Sequence, residues 1–237
     1  MKKYKAIFFD RDGTISTKNQ EKLEKRDEYL SKVLGEDKFE VTPKISGEAM
    51  NRVVKKAPEL DFQKNLVNTI EKENRYWELY FKEILLMAGY KGNIETEPKK
   101  LNKKFSFTDM LQPYPETEEV FRYFKDRGYK IGIISDTFPS LQATIEKMNL
   151  GRYVDSYTSS SIVGVFKPEP KIYIQALKSL NVTAKESIYV DDYKVESDGA
   201  RDIGFTSFHI DRKRKGECCK KWEINNLKDL IDYVEKY

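Results

Sequence analysis

The sequence has few of the side chains that build disulfide frameworks or histidine- and cysteine-based metal sites. Its 237 residues include two cysteines and one histidine. Cys218 and Cys219 are adjacent, which gives neither a disulfide framework nor the spacing of metal ligands; we expect two free thiols near the surface rather than a vicinal disulfide. His209 falls in or beside a predicted late strand, away from the polar motifs described below. We therefore expect no catalytic role for the histidine.

Long hydrophobic runs and a strong net charge are also missing. No apolar run approaches the roughly 18 residues that a membrane span needs, and the apolar segment Ala6–Phe9 is too short for the core of a signal peptide. The 43 Lys and Arg residues against 39 Asp and Glu leave a net charge of +4. That bias is too weak over this length to indicate nucleic-acid binding. We expect a cytoplasmic protein whose partners include neither membrane nor nucleic acid.

The first part of the chain contains two different patterns. Residues 4–9 form a compact apolar run, which predicts a buried strand followed by a tight turn at Gly13. From about residue 17 to residue 92, apolar residues recur at helical spacing among Lys and Glu, and no convincing strand pattern interrupts them. The segments 45–57 and 62–88 show this spacing clearly. The block is therefore predicted to be a bundle of helices.

Strands and helices alternate in the rest of the chain. Strands are predicted over 130–134, 154–158, 187–190 and 205–210, and helices over 116–127, 141–148, 170–180 and 226–235, with a short helix around 199–201. This alternation predicts parallel βαβ units, and hence a doubly wound, Rossmann-like α/β sheet. Because the helical block follows the first strand, we expect residues 1–16 and 110–237 to form one core domain. Residues 17–109 are then an inserted, all-helical cap domain.

Polar side chains stand at the ends of the predicted strands, where open α/β sheets bind their ligands. They are Asp10 and Asp12 after the first strand, Ser135 after the strand at 130–134, Asp191 and Asp192 after the strand at 187–190, and Lys167 in the loop before the helix at 170–180. Four carboxylates at one edge repel each other strongly without a cation. A hard divalent ion with oxygen ligands resolves this repulsion, and magnesium is the usual one where phosphate is also bound.

The same residues carry a resemblance to the haloacid dehalogenase superfamily. Residues 9–14, Phe-Asp-Arg-Asp-Gly-Thr, resemble its D-x-D-G-T signature. The other three motifs are resembled, in the family's order, by residues 133–136 (Ile-Ile-Ser-Asp), 166–168 (Phe-Lys-Pro), and 190–192 (Val-Asp-Asp) with Glu196 and Gly199-Ala200. Two residues depart from the pattern, since Val190 stands where Gly is frequent and Asp136 where Asn is common. Neither departure removes a catalytic group.

The resemblance implies a phosphohydrolase that takes a small phosphorylated substrate and uses Mg²⁺. In that reading Asp10 attacks phosphorus and becomes an aspartyl phosphate. Asp12 protonates the leaving oxygen and later activates water. Phosphate binding is implied for Ser135, Asp136 and Lys167.

The implied metal site overlaps these catalytic residues. Its ligands would be Asp10, the backbone carbonyl of Asp12, and Asp191, with Asp192 or Glu196 completing the site directly or through water, and Thr14 in a supporting role. The double Asp leaves open which of the two binds the metal directly.

Other functions fit the motifs less well. A dehalogenase would use the same nucleophile but resembles this chain without the second acid, so Asp12 argues against it. A phosphomutase shares all four motifs and is only weakly excluded, and a catalytically silent binding protein is hard to reconcile with the complete acid set. Outside the motifs, we interpret the aromatic residues of 76–81 as helix–helix core rather than as a substrate pocket. The charged run 211–215 is interpreted as an exposed loop.

Overall fold

The computed structural model describes residues 3–214 and 222–236. The described residues contain eight strands: β1 (Ala6–Phe9), β2 (Ser16–Lys18), β3 (Leu111–Pro113), β4 (Lys130–Ser135), β5 (Ser156–Ser159), β6 (Ser187–Asp191), β7 (Thr206–Ile210) and β8 (Glu223–Ile224). They also contain ten α-helices: α1 (Gln20–Leu34), α2 (Pro43–Lys56), α3 (Ile70–Met87), α4 (Glu97–Lys104), α5 (Thr117–Asp126), α6 (Leu141–Lys147), α7 (Ser160–Val163), α8 (Pro170–Leu180), α9 (Lys194–Asp202) and α10 (Asp229–Glu235). The predicted free thiols at Cys218 and Cys219 lie outside the described residues.

Six strands form a parallel sheet in the order β5-β4-β1-β6-β7-β8. The central strand β1 is fully buried, as expected for a strand covered by helices on both faces. Its alternate residues point to opposite faces. Ile7 and Phe9 pack in one apolar cluster with residues of α5, α6 and α10, whereas Ala6 and Phe8 pack in another with residues of α8 and α9. The prediction of a doubly wound parallel α/β core is confirmed.

One glycine sets the spacing at the middle of the sheet. Gly132 in β4 is the register partner of Phe8 in β1. A Cβ atom at Gly132 would lie 2.5 Å from the Phe8 ring, so a glycine leaves the space that this ring occupies.

An all-helical insertion lies between β2 and β3, as predicted for this part of the chain. Its helices begin at ordinary caps: the Asn19, Thr42 and Thr69 side chains each accept a backbone N–H from the first turn of α1, α2 and α3. The four helices share a separate apolar cluster. It includes Tyr76, Trp77, Tyr80 and Phe81, which confirms that these aromatic residues belong to a core.

The insertion differs from the prediction in three places. The segment predicted as one helix over 62–88 becomes helical only at Ile70, because Asn65 has a left-handed backbone that ends a short 3₁₀ turn and Thr69 caps the true start. Helix α4 was not predicted; it is rich in Lys and has one fully buried aliphatic residue, Leu101. The antiparallel pair β2–β3 was also not predicted, since three residues per strand are too few to show a period.

No helix among the described residues is long and apolar enough to span a membrane.

Candidate active site

The carboxyl ends of β1, β4 and β6 meet where the connections leave the sheet in opposite directions. Asp10 is the first residue after β1, Ser135 is the last of β4 and Asp191 is the last of β6. The Asp10 N–H donates to the Val190 carbonyl over 2.9 Å, so the pairing of β1 with β6 continues one residue past the strand. All four of these residues are buried. The register of the sheet thus brings three predicted site residues to one edge.

Lys167 is the cationic centre of this edge. Its Nζ atom lies 2.7 Å from Oδ1 of Asp10, 2.8 Å from Oδ2 of Asp191 and 2.6 Å from Oε2 of Glu196. Only 2% of the Lys167 side chain is exposed. Three carboxylates therefore satisfy the three donors of one buried ammonium group, which is the arrangement that a buried charge requires.

Asp136 positions the backbone that carries Lys167. Its two carboxylate oxygens lie 3.1 and 3.2 Å from the Lys167 backbone nitrogen, whose N–H they accept. A carboxylate held in this way adds negative charge beside the site, so it is unfavourable for the Asp136 side chain itself to bind phosphate. The predicted phosphate contact of Asp136 stays a prediction.

The pKa values of the acidic groups show an excess of negative charge. Burial raises the pKa of Asp10 well above its ordinary value, in spite of the opposing charge of Lys167. Burial also raises the pKa of Asp192 to about 6 and that of Glu196 to about 7, with the charge of Asp191 adding to both. Burial disfavours the charged form of Lys167, but Asp10 and the other acids keep its pKa well above normal. One ammonium group does not neutralise this cluster.

The acidic cluster has the donor set of a hard divalent cation. Asp10, Asp191 and Asp192 each offer a carboxylate oxygen, and these oxygens lie within 4.8 Å of one another. Asp191 already uses both of its oxygens: Oδ1 accepts the Tyr193 N–H over 2.8 Å, and Oδ2 accepts from Lys167 and from the Tyr189 hydroxyl. Oδ1 of Asp192 is buried and has no hydrogen-bond partner within residues 3–214 and 222–236. A buried, unpartnered carboxylate oxygen in an anionic cluster fits a metal ligand.

Asp12 lies next to this cluster but is held from another side. Its carboxylate accepts two hydrogen bonds from the preceding residue, from Nε of Arg11 over 3.0 Å and from Nη2 over 2.8 Å. The Asp12 side chain is 55% exposed, whereas the Arg11 side chain is 1% exposed. Asp12 therefore faces solvent at the mouth of the site, and the buried guanidinium group of Arg11 binds its carboxylate through both hydrogen bonds.

The contacts of Arg212 and of His209 correct the sequence interpretation. Arg212 is not part of an exposed loop: its side chain is 15% exposed, and its Nε atom donates to the carbonyls of Gly13 and Thr14 over 3.0 and 3.1 Å. Arg212 also forms an ion pair with Glu116. His209 is not far from the motifs, since its Nε2 atom lies 3.1 Å from the Asp192 carbonyl oxygen. The prediction missed both because strand β7 lies beside β6, and only the sheet order shows that.

Two glycines of the motifs are required by close approaches. Gly13 has φ +77° and a Cβ there would meet the Asp192 carboxylate. At Gly199 a Cβ would lie 2.5 Å from Cβ of Pro168, so a glycine lets α9 pack against the loop that carries Lys167. Thr14 is fully buried, and its Oγ1 has no partner among the described residues.

The helical insertion contacts the site through its longest helix. Glu73 of α3 is buried and accepts the Ser140 N–H over 2.9 Å, together with the Ser140 hydroxyl. Phe138, in the same core loop as Ser140, packs against Trp77 of α3 at a ring-centroid distance of 5.1 Å. The contact of Glu73 with the core was not predicted. Helix α3 contains several Glu, Lys and Arg residues, and nothing in its sequence distinguishes the buried acid from the exposed ones.

Comparisons with known proteins identify a family and several relatives of this chain. The haloacid dehalogenase-like hydrolase family matches residues 4–204. The (S)-2-haloacid dehalogenase 4A of Burkholderia cepacia is 29% identical over 166 residues, which cover 68% of this chain and 71% of that protein. The glyceraldehyde 3-phosphate phosphatase of Pyrococcus furiosus is 27% identical over 100% of this chain and 95% of that protein. The crystal structure of a HAD phosphatase from Thermococcus onnurineus has a TM-score of 0.59 at 26% identity, covering 99% of this chain and 98% of that one.

The fold and the site are those of an enzyme. A buried aspartate, Asp10, lies at the carboxyl end of the central strand of the parallel sheet and is paired with the buried Lys167. The chain belongs to the haloacid dehalogenase-like hydrolase family. Its relatives include proteins named as dehalogenases and proteins named as phosphatases. The choice between these reactions has to come from the site itself.

Proposed function

We propose that this protein is a magnesium-dependent phosphohydrolase that acts on a small phosphorylated metabolite through an aspartyl phosphate at Asp10. The observation that carries the proposal is the presence, within one loop, of a buried aspartate and of a second, solvent-facing aspartate two residues later. Asp10 is 5% exposed, and the Asp12 side chain is 55% exposed. The burial of Asp10 supports its role as the nucleophile, and the exposure of Asp12 supports proton exchange with a leaving group and with water.

Asp10 and Lys167 form the reacting pair in this proposal. Lys167 holds Oδ1 of Asp10 at 2.7 Å, which fixes the carboxylate and leaves Oδ2 for attack on phosphorus. The ammonium group also lowers the repulsion between the Asp10 carboxylate and an incoming phosphate. Ser135, buried at the end of β4, is proposed to bind a phosphoryl oxygen together with Lys167.

Asp10, the Asp12 backbone carbonyl, Asp191 and Asp192 are the residues that would hold Mg²⁺. Of the last two, we propose Asp192 as a direct ligand, because its Oδ1 has no partner while both oxygens of Asp191 are engaged. When bound, the cation would supply the positive charge that brings a phosphate dianion into a carboxylate cluster. Glu196 pairs with Lys167, which also binds Asp10 and Asp191.

Asp12 favours phosphate transfer over dehalogenation for a chemical reason. An alkoxide is a strong base and leaves well only when an acid protonates it, whereas a halide ion is a weak base and leaves without a proton. A solvent-facing carboxyl group beside the nucleophile therefore has a use in phosphate ester hydrolysis and none in halide release. The relatives named as glyceraldehyde 3-phosphate phosphatases support a small phosphorylated substrate.

Residues 17–109 are proposed to act as the cap that selects the substrate and excludes water. The contacts of Glu73 and Trp77 with the core loop 138–140 support this role, since they fix the insertion above the sheet edge. A phosphomutase would use the same residues and differ only in returning the phosphoryl group to its substrate.

The test is phosphate release from p-nitrophenyl phosphate and from a panel of phosphorylated metabolites, with and without Mg²⁺. We expect magnesium-dependent release that Asp10→Asn abolishes in a folded variant, because an amide cannot attack phosphorus efficiently. A parallel assay measures halide release from 2-haloacids. Halide release without phosphate release, or Asp10→Asn activity within tenfold of wild type, would contradict the proposal. Transfer of phosphate to a second sugar phosphate instead of water would identify the phosphomutase.

A further inference from the structure

Arg11 is the least expected charged residue of the site. It is the variable position between the two aspartates of the motif, yet its side chain is 1% exposed and it is among the largest fully buried side chains in the described residues. Its Nη1 atom has no hydrogen-bond partner among the residues that the structure describes. A buried guanidinium group that leaves a donor unsatisfied is a poor choice for stability alone. The Arg11 fork makes its two side-chain hydrogen bonds to Asp12.

The surroundings of Arg11 hold it in one orientation. Its guanidinium carbon lies 5.4 Å from the centroid of the Phe107 ring, and Phe107 is stacked on Trp77 of α3 at 4.9 Å with an interplanar angle of 14°. The charge of Arg11 opposes the burial that raises the pKa of Glu73, a residue one turn before Trp77 on α3. Aromatic packing and an opposite charge, both from the insertion, therefore support the guanidinium plane.

A bidentate fork fixes both the position and the plane of a carboxylate, which a single hydrogen bond does not. The Asp12 side chain is half exposed, and its carboxylate accepts no other hydrogen bond among the described contacts. Without Arg11 the side chain would therefore sample several rotamers. A general acid acts only when it stands within hydrogen-bond reach of the leaving oxygen. The orientation of Asp12 is thus determined by a residue that is itself held by the helical insertion.

We infer that Arg11 is a positioning residue that aligns Asp12 for proton transfer, and that the insertion supports this alignment through Phe107 and Glu73. The inference rests on the proposed function, because it assigns Arg11 a role in phosphate ester hydrolysis. It predicts a specific defect. Loss of Arg11 weakens protonation of the leaving group, which an alkyl phosphate needs and an aryl phosphate needs far less.

The experiment compares kcat/KM for glycerol 2-phosphate and p-nitrophenyl phosphate, because kcat/KM reports the steps up to phosphorylation of Asp10. For Arg11→Met we expect a loss of about 10- to 100-fold with the alkyl ester, since misplacing a reacting group by about 1 Å can cost about 10²-fold. The loss with the aryl ester should be several times smaller. Arg26→Met is the matched control: Arg26 also donates to the aspartate that follows it, but on α1 in the insertion, and its removal should leave the ratio of the two esters unchanged.

The same change in an Asp12→Ala background decides whether Arg11 acts through Asp12. There Arg11→Met should alter neither ester by more than about twofold, because the group that it aligns is gone. Equal losses with both esters, an unchanged ratio, or an undiminished effect without Asp12 would each overturn the inference. If Arg11→Met does not fold by circular dichroism, Arg11→Lys, which keeps the charge but not the fork, decides by the same ratio. Turnover by Asp10→Asn would instead refute the proposed function, and it would leave the alignment of Asp12 by Arg11 untouched.

Discussion

Gly13 and Asp192 touch across two motif loops that are far apart in the sequence. A Cβ atom built on Gly13 would lie 2.1 Å from Oδ2 of Asp192. Gly13 also has a left-handed backbone with φ +77°. The glycine of the first motif therefore serves the fourth motif, because it leaves the space that the Asp192 carboxylate occupies.

Gly13→Ala should disturb the metal site more than the fold. We expect a loss of stability of about 1 kcal/mol from the left-handed backbone, together with a much larger loss of apparent affinity for Mg²⁺, because Asp192 has to move. Gly35→Ala is the matched control: it has φ +71° but nothing within 4 Å of the added atom, so it carries the backbone cost alone. Urea unfolding and the Mg²⁺ dependence of turnover measure the two effects. Equal magnesium affinity in both variants would contradict the role of the contact.

Removal of the metal should stop turnover, and Mg²⁺ should restore it. Ca²⁺ should restore it poorly, since its larger and more variable coordination misplaces the phosphoryl group. Asp192→Asn should raise the Mg²⁺ concentration needed for half-maximal activity, because it removes the unpartnered oxygen. Asp202→Asn, an exposed carboxylate on α9, serves as the control. Full activity after exhaustive chelation would exclude the metal-dependent mechanism.

Asp12→Ala should separate the two halves of the reaction. With p-nitrophenyl phosphate the first half needs little protonation, so alcohol release should show a burst. The second half lacks its base, and steady turnover should fall by roughly 10²- to 10⁴-fold. Rapid-quench kinetics measures the burst and the accumulating phosphoenzyme. Turnover at the wild-type rate without accumulation would remove Asp12 from the acid–base role.

The metal-free protein should lose stability as the pH rises from 4.5 to 7.5. Burial raises the pKa of Glu196 from 4.5 to about 7 and that of Asp192 from 3.8 to about 6. A carboxyl group whose pKa is raised by folding binds its proton more tightly in the folded state. Its stabilising contribution is complete below the unfolded pKa and is lost as the pH passes the folded pKa.

Urea unfolding in chelator at several pH values checks this prediction. Glu196→Gln should flatten the dependence, whereas Glu36→Gln, an exposed residue of the insertion, should leave it unchanged. Added Mg²⁺ should oppose the loss at high pH, because it neutralises the ionised cluster. A stability that rises over this range would show that the acidic groups are not buried as described.

The sequence was sufficient for five of the six strands of the main sheet, all except β8, and for most of the residues at its edge. Strand β1 is a run of four apolar residues before Asp10, and the helix at Pro170–Leu180 begins and ends where its proline and its apolar period indicate. These features are local, so a pattern of a few residues specifies them. The position of Lys167 among carboxylates was implied by the resemblance of its short motif, whereas its burial was not predicted, and the three carboxylates that surround it come from separate loops.

Contacts between distant elements could not be predicted in this way. Arg212 and His209 lie near Asp192 and Thr14 only because β7 pairs with β6. Arg11 lies against Phe107, which follows the four helices of the insertion in the sequence. A sequence pattern reports the period of one element and says nothing about which side chain of another element will cover it.

The short ribbon β2–β3 has a consequence for how such an enzyme could be rebuilt. Lys18 and Leu111 are paired across the ribbon, so the chain leaves the core and returns to it at neighbouring positions. The residues between them form an insertion that is joined to the core through this two-stranded ribbon. A tight hairpin turn of about two residues would be long enough to connect the two strands directly. Replacement of the insertion by another of any length would leave all six strands of the main sheet in place. The same sheet edge could then carry a different insertion, and the Phe138 ring marks the surface against which the new insertion must pack.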